Sequence, residues 1–165
     1  MTMKKNINKL FFIFCMLAFT SMNAQKPAVY KINDLLKRIH NNSDTTYVVN
    51  FWATWCKPCV AELPEFEKLH QDSKNNNQKV KVLLVSMDFV EEIDKKLKDF
   101  LDKNKYTSEV VLLDEVNGND FINKISEKWS GAIPATLITC HNKSKTDFHE
   151  GKLTYEMLEK MISEK

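Results

Sequence analysis

The sequence predicts one α/β domain in which a largely parallel β-sheet is flanked by helices. Runs of β-branched and aromatic residues alternate along the chain with segments whose apolar residues recur at helical spacing. Connections of about ten residues or more, helical in character, are what parallel neighbouring strands require. With 165 residues, 43% of them hydrophobic, the chain is long enough for one domain of ordinary size and too short for two.

The N-terminal half of this domain is predicted to contribute three strands and two helices. The run at 47–52 is β-branched or aromatic everywhere except Asn50, which is typical of a strand buried on both faces. The helix after it contains Pro64 within its apolar pattern, so we expect a kink there. The predicted order is a strand at 29–31, a helix at 34–41 capped by Asn33 or Asp34, a strand at 47–52, a helix at 57–74 and a strand at 80–87.

The C-terminal half continues the alternation and ends in an antiparallel pair. Ser130 and Gly131 interrupt a helical pattern, and a turn at 141–145 connects a strand to its return strand. The predicted order is a helix at 91–103, a strand at 109–113, a helix at 119–129, strands at 135–139 and 146–149, and a helix at 153–163 with Leu153, Met157, Leu158 and Met161 facing inward.

The N-terminus has the layout of a secretory signal peptide. Three lysines precede an apolar run at 10–19, and small and polar residues follow up to Ala24. The apolar run is about half the length of ~20 residues that a membrane-spanning helix needs. We therefore predict a signal peptide at 1–24 and an exported domain at 25–165, with an uncleaved anchor as the alternative.

The charge balance argues against nucleic acid as a partner. The chain has 24 Lys and Arg against 22 Asp and Glu, a net charge of +2. Both signs are interspersed along the helical segments and form no basic block. We expect no nucleic-acid partner, and we expect a monomer.

Two cysteines, Cys56 and Cys59, lie between the predicted strand at 47–52 and the helix that follows it. A Cys-x-x-Cys in this position is typical of a redox couple. The free N–H groups and the dipole at the helix N-terminus lower the pKa of Cys56, while Cys59 lies one turn further in and is shielded. Cys56 is therefore the predicted nucleophile.

A metal site and a purely structural disulfide explain this pair less well. A zinc site needs four ligands, and the chain has no second Cys-x-x-Cys and no histidine pair at suitable spacing. A disulfide that closes so short a loop stabilises a fold very little. We expect no metal and no cofactor besides the Cys56–Cys59 disulfide, and a free buried thiol at Cys140.

The segment from Asn50 to Pro64, NFWATWCKPCVAELP, resembles the active-site segment of exported thioredoxin-like thiol-disulfide oxidoreductases, the TlpA, ResA and CcmG group. The order of elements up to Lys165 agrees with this group. The resemblance implies a thioredoxin-like fold, with Cys56 as the exposed nucleophile, Cys59 as the resolving thiol and a cis-proline loop at Ile133-Pro134 that faces both sulfurs. It also implies the bacterial periplasm or cell envelope as the location and a membrane thiol carrier as the electron source.

The resemblance also assigns roles to neighbouring residues. Thioredoxins carry a buried aspartate where this chain has Asn50, and Glu62, one helical turn after Cys59, is our candidate for the missing proton acceptor. The alternative for Glu62 is a first-turn glutamate stabilised by the helix dipole. The residues expected to contact substrate are Trp55, Lys57, Pro58, Ile133 and Pro134.

The predicted function is reduction of protein disulfides outside the cytoplasm. The substrates would be protein disulfides or dithiols that exchange with Cys56 and Cys59. An oxidant or isomerase with the same chemistry, and a non-catalytic thioredoxin-fold binding module, are the alternatives. The chain departs from the exported group in one respect: about twenty residues precede the motif strand, and they predict a strand and a helix where that group usually has a β-hairpin.

Overall fold

The computed structural model describes residues 26–41, 43–140, 142 and 145–163. In this part of the chain six strands form one sheet: β1 (Ala28–Tyr30), β2 (Thr46–Trp52), β3 (Val80–Ser86), β4 (Glu109–Leu113), β5 (Ala135–Cys140) and β6 (Lys145–Glu150). The strand order is β1-β4-β3-β2-β5-β6. The first four strands in this order are parallel, while β5 and β6 pair antiparallel with their neighbours. The predicted mixed, mostly parallel sheet is confirmed.

Five α-helices accompany the sheet: α1 (Ile32–Ile39), α2 (Lys57–Asn75), α3 (Lys98–Asn104), α4 (Ile122–Ile125) and α5 (Tyr155–Ser163). A 3₁₀ turn at Val90–Glu92 and a π-helical turn at Ile93–Leu97 lead directly into α3, so the predicted helix at 91–103 is confirmed as a continuous helical segment. The segment before β2 consists of β1 and α1, as the sequence predicted.

The sheet separates two apolar cores. All seven residues of β2 are buried, and they alternate between the two faces. Val48 and Trp52 pack on the side of α2 and α5, whereas Val49 and Phe51 pack on the side of α1. Because α2 starts directly after β2, the Cys-x-x-Cys segment lies at the carboxyl end of a fully buried central strand.

The predicted helix at 119–129 is wrong in extent. Only α4 and a preceding 3₁₀ turn at Gly118–Asp120 are helical, and Ser126 has an extended backbone. The reason is Trp129, which is buried against Phe51 with ring centroids 4.9 Å apart. The helix ends at Ile125, and the extended segment after it places this indole in the core. Tertiary packing therefore overrides the local helical pattern.

Two helix starts and one inward residue were also predicted wrongly. Helix α1 begins at Ile32, ahead of both proposed caps, and its first N–H groups are satisfied in part by Glu115 Oε1, 2.8 Å from the Ile32 nitrogen. Helix α5 begins at Tyr155, not at 153, and Met157 is 40% exposed. The cap of α1 comes from a distant loop, which a local pattern cannot indicate.

The predicted signal peptide at 1–24 lies outside the described residues. Among the residues that are described, no helix combines the length and the apolar character needed to cross a membrane.

Candidate active site

The loop after β2 carries the cysteine pair into the first turn of α2. The Cys56 N–H donates to the Ala53 carbonyl over 3.1 Å, which closes a tight turn from Ala53 to Cys56. Cys56 is the N-cap of α2, and Pro58 lies in the first helical turn, where its missing N–H costs nothing. The residues from Ala53 to Cys56 therefore form a tight turn that leads directly into the N-terminus of α2.

Cys56 and Cys59 are joined by a disulfide, with their Cα atoms 5.3 Å apart. The Cys59 N–H donates to Cys56 Sγ over 3.3 Å. Cys56 is 6% exposed and Cys59 is 0% exposed, so Cys56 is the sulfur nearer to solvent, although it is more covered than an exposed nucleophile would be. When the bond is reduced, the same amide and the helix dipole favour a thiolate on Cys56.

The loop before β5 faces the sulfurs. The Ile133-Pro134 peptide is cis, and the Ile133 carbonyl oxygen lies 3.8 Å from Cys56 Sγ. The Trp129 Nε1–H donates to the Ala132 carbonyl over 2.8 Å and anchors the loop from the aromatic core. This arrangement confirms the sequence prediction of a cis-proline at this position opposite the cysteines.

Glu62 lies fully buried on the inner face of α2, one turn beyond Cys59. Its Oε1 accepts a hydrogen bond from Asn50 Nδ2, and its Oε2 accepts one from the Leu153 N–H, both over 2.8 Å. Burial raises the pKa of Glu62 to about 7, against the opposing effect of these two bonds. A carboxyl with this pKa can both take up and release a proton near neutral pH.

Thr136 completes this inner polar network, and it was missed at the sequence level. Asn50 Nδ2 also donates to Thr136 Oγ1 over 3.2 Å, because these residues are direct partners in the β2–β5 ladder. Asn50 Oδ1 has no hydrogen-bond partner among the described residues. The strand register alone joins Asn50 to Thr136, and the register was not predictable from the local pattern.

Asp88, in the loop after β3, is a second buried carboxylate that the sequence analysis missed. It accepts hydrogen bonds from the Thr54 N–H over 3.0 Å, from Thr54 Oγ1 over 2.6 Å and from Ser86 Oγ over 2.8 Å. The available signal was its position, since the carboxyl ends of neighbouring parallel strands meet at one edge of a sheet and Asp88 follows the strand next to β2.

The other predicted site residues line the surface around the sulfurs. Trp55 is 61% exposed, and Lys57 and Pro58 are exposed in the first turn of α2. Cys140 is a free, buried cysteine in β5. In the described ranges, no group of three or more His, Cys, Asp or Glu side chains is arranged to hold a metal ion.

A family model matches most of the chain. The sequence fits the profile described as the AhpC/TSA family over residues 21–143.

Individual proteins are similar to most of the described chain. Thioredoxin-like protein YneN of Bacillus subtilis strain 168 is 31% identical over 115 residues, which cover 70% of this chain and 62% of YneN. The match therefore spans less than two thirds of that relative. Thiol-disulfide oxidoreductase ResA of Oceanobacillus iheyensis is 26% identical over 153 residues, which cover 82% of this chain and 73% of ResA.

The fold also matches solved structures. The crystal structure of StoA from Bacillus subtilis superposes with a TM-score of 0.56 and 25% identity, covering 74% of this chain and 86% of StoA. A thioredoxin-related protein from Neisseria meningitidis serogroup B superposes with a TM-score of 0.61 at 20% identity, covering 74% of this chain and 85% of that protein. These matches confirm the predicted thioredoxin-like fold and the resemblance to ResA-like proteins.

Proposed function

Because the chain belongs to the AhpC/TSA family and has a thioredoxin-like fold, we propose that it is a thiol-disulfide oxidoreductase that reduces protein disulfides through Cys56 and Cys59. One observation carries the proposal: Cys56 Sγ receives an amide N–H at the start of α2 and faces the carbonyl of Ile133. The name of ResA, a thiol-disulfide oxidoreductase, supports the same class of activity.

The reaction begins with the reduced protein. The Cys56 thiolate attacks one sulfur of a substrate disulfide, a bond forms between the two sulfurs, and the second substrate sulfur leaves as a thiolate that takes a proton. The backbone of Ile133 and the surface formed by Trp55, Lys57 and Pro58 hold the substrate segment beside Cys56. The product of this step is a mixed disulfide between substrate and protein.

Resolution consumes the second cysteine. Glu62 accepts the Cys59 proton, the Cys59 thiolate attacks Cys56 Sγ, and the mixed disulfide breaks to release the second substrate thiolate. The substrate has then gained two electrons, and the protein is left with the disulfide seen in the structure. Glu62 is suited to this step because its pKa of about 7 matches the operating pH.

The proposed direction of electron flow is toward the substrate. Couples of this fold range from about −270 mV in thioredoxin to about −120 mV in DsbA. The chain has Lys57 and Pro58 between its cysteines and no histidine there, unlike strong oxidants of the fold. A potential near the thioredoxin end, measured against glutathione, supports a reductant, while one near the DsbA end supports the oxidant or isomerase.

Export and electron supply belong to the same proposal. A reductant outside the cytoplasm needs a continuous source of electrons, since that environment favours disulfides. We propose that a membrane thiol carrier re-reduces the Cys56–Cys59 disulfide and that the protein works as a monomer in the bacterial periplasm or cell envelope. The signal-like segment at 1–24 supports export.

Insulin reduction by dithiothreitol tests the activity directly. The wild-type chain should accelerate the precipitation of insulin B chain, and Cys56→Ser should abolish the acceleration. Once reduced and freed of dithiothreitol, Cys59→Ser should accumulate a mixed disulfide with insulin. Cys140→Ser, which changes the free cysteine in β5, should react as the wild type does. Full activity of Cys56→Ser would contradict the proposal, and so would an inert wild-type protein.

A further inference from the structure

Asp88 is a buried carboxylate beside the active-site loop, and the proposed mechanism does not use it. It is 2% exposed, and it forms no ion pair within the described part of the chain. A buried charge without a counter-ion costs free energy unless polar groups replace its water. Here the replacement comes from Thr54 and Ser86, which donate three hydrogen bonds of 3.0 Å or less.

These bonds attach Asp88 to the turn that presents the nucleophile. The Met87 N–H donates to the Trp52 carbonyl over 2.7 Å, so the loops after β2 and β3 are joined by backbone as well. Thr54 precedes Cys56 by two residues inside the turn closed by Ala53. Consecutive Cα atoms are about 3.8 Å apart, which limits the Cα separation of Thr54 and Cys56 to about 7.6 Å. A negative charge is thus fixed to the same turn as the reactive sulfur.

We propose that Asp88 is a positioning residue that acts on Cys56 through Thr54: its carboxylate fixes the turn, and its negative charge makes the Cys56–Cys59 couple more reducing. The inference rests on the proposed function, since it concerns the same couple. A nearby like charge disfavours a thiolate. A less stable thiolate means a less stable reduced form, and the protein then gives up its electrons more readily.

The other charged groups on the elements around Cys56 do not have this combination. They include Lys57 and Glu62 in the first turns of α2, Glu91 and Glu92 beyond Asp88, Lys152 before α5, and Glu150, which accepts hydrogen bonds from Ser130 in the loop at 130–134. Lys57 is exposed and favours the thiolate, and the loop at 130–134 contributes no charge. Glu62 lies on the inner side, toward Cys59. Unlike these groups, Asp88 is buried, negatively charged and hydrogen-bonded directly to the turn that contains Cys56.

The first test replaces the charge while keeping the shape. In Asp88→Asn, the pH midpoint of iodoacetamide labelling of Cys56 in the reduced full chain should fall by about half a pH unit to one unit. The equilibrium constant with glutathione should shift up to about tenfold toward the oxidising side, which is about 30 mV. A midpoint that stays in place or rises in Asp88→Asn overturns the proposal.

Asp114→Asn is the matched control. Asp114 follows β4 as Asp88 follows β3, but β4 is one strand further from β2, and Asp114 pairs with Lys31 over 2.9 Å. Its replacement should leave both the labelling midpoint and the glutathione equilibrium unchanged. An equal shift in Asp114→Asn would show that removing either carboxylate has the same effect on Cys56, and it would also overturn the proposal.

A second pair of variants keeps the proposal testable if Asp88→Asn does not fold. Thr54→Val and Ser86→Ala each remove a donor and keep the carboxylate, whose charge is then less well neutralised. Both should raise the labelling midpoint of Cys56, and Thr54→Val should also slow exchange with insulin because the turn is looser. An unchanged or lowered midpoint in these variants counts against the role of the charge.

The outcome for Asp88 is separable from the outcome for the proposed function. Iodoacetamide and glutathione report on the couple without any protein substrate. A wild-type chain that fails to reduce insulin would refute the proposed function and leave the Asp88 shift to be judged by itself. A chain that reduces insulin normally and shows no Asp88→Asn shift would refute this inference alone.

Discussion

Glu62 and Cys59 occupy the same inner face of α2, and in the proposed mechanism this neighbourhood sets the chemistry of the second cysteine. Cys59 is fully buried, whereas Cys56 keeps 6% of its surface exposed and meets the cis-proline loop. The only route that the proposed mechanism offers for the Cys59 proton is the carboxylate of Glu62. In this mechanism the two sulfurs differ: Cys56 attacks the substrate, and Cys59 needs a base.

Glu62→Gln should slow the resolution step. The amide cannot accept a proton, and general bases of this kind contribute about a hundredfold or more. We expect the mixed disulfide with insulin to decay about a hundredfold more slowly at pH 7. Glu65→Gln on the same helix is the control, since Glu65 accepts only a 3.3 Å bond from the Tyr155 N–H in the described structure. Equal decay rates in wild type and Glu62→Gln would contradict the assigned role.

The same substitution should change stability with pH. The pKa of Glu62 is raised from 4.5 to about 7 by burial, so the folded state favours the protonated acid. The resulting stabilisation is present below pH 4.5 and is lost as the pH rises through about 7. In urea unfolding at pH 8, the free energy of unfolding of Glu62→Gln should exceed that of wild type by about 2 kcal/mol, a figure that already subtracts one lost hydrogen bond. At pH 4 the substitution should bring no gain in this free energy. A gain that is the same at both pH values would contradict this account.

Among the contacts between elements, the hydrogen bonds of Glu67 connect α2 to the residues just before β4. Its carboxylate accepts bonds from the Thr107 and Ser108 N–H groups, each over 3.0 Å, and from Gln71. Partial burial opposes the charge, but the bonds from Thr107, Gln71 and Ser108 outweigh it and lower the pKa of Glu67 to about 2. This junction keeps α2, and with it the cysteine pair, in place on the sheet.

Glu67→Gln should cost stability at neutral pH only. A lowered pKa contributes stability above the unfolded value of 4.5, and this contribution disappears as the pH falls through about 2. Because the side chain is partly exposed, we expect a loss of about 1 kcal/mol at pH 7 in urea unfolding. The difference from wild type should vanish near pH 2, and a difference that persists there would contradict the prediction.

The loop that carries Ile133 depends on Trp129. In Trp129→Phe the ring still packs on Phe51 and Phe121, but the bond to the Ala132 carbonyl is lost. We expect a stability loss of about 1 kcal/mol and slower insulin reduction, because the loop is less well held against Cys56. Trp55→Phe at an exposed position should leave the midpoint of thermal unfolding unchanged. Unaltered insulin reduction by Trp129→Phe would contradict the anchoring role.

At the scale of the whole molecule, the alternation of strands and helices was predictable because each element has its own pattern. The run at 47–52 is β-branched or aromatic except at Asn50, and it forms all but the first residue of the fully buried β2. The helix at 119–129 was not predictable, because the burial of Trp129 is decided by aromatic partners from β2 and from the segment before α4. Contacts between distant segments carry information that local periodicity lacks.

The residues of the candidate site also differ in how far the sequence could predict them. Cys56, Cys59 and Pro134 were predictable because spacing and resemblance mark them directly. No motif or spacing marks Asp88 or Thr136, since each reaches the site through strand neighbours: β3 beside β2, and β5 beside β2. The sequence therefore indicates the cysteines and the proline, and the sheet topology places further polar groups around them.

The central claim is that the two reduced cysteines are unequal, with Cys56 ionised and reachable and Cys59 withheld. The most direct measurement is the iodoacetamide labelling rate of each cysteine in the reduced wild-type chain between pH 4 and 9, followed by mass spectrometry. We predict that Cys56 reacts at least about tenfold faster at pH 7, with a midpoint below the thiol value of about 8.5. Equal rates for both cysteines, or a Cys56 midpoint at or above that value, would contradict the account.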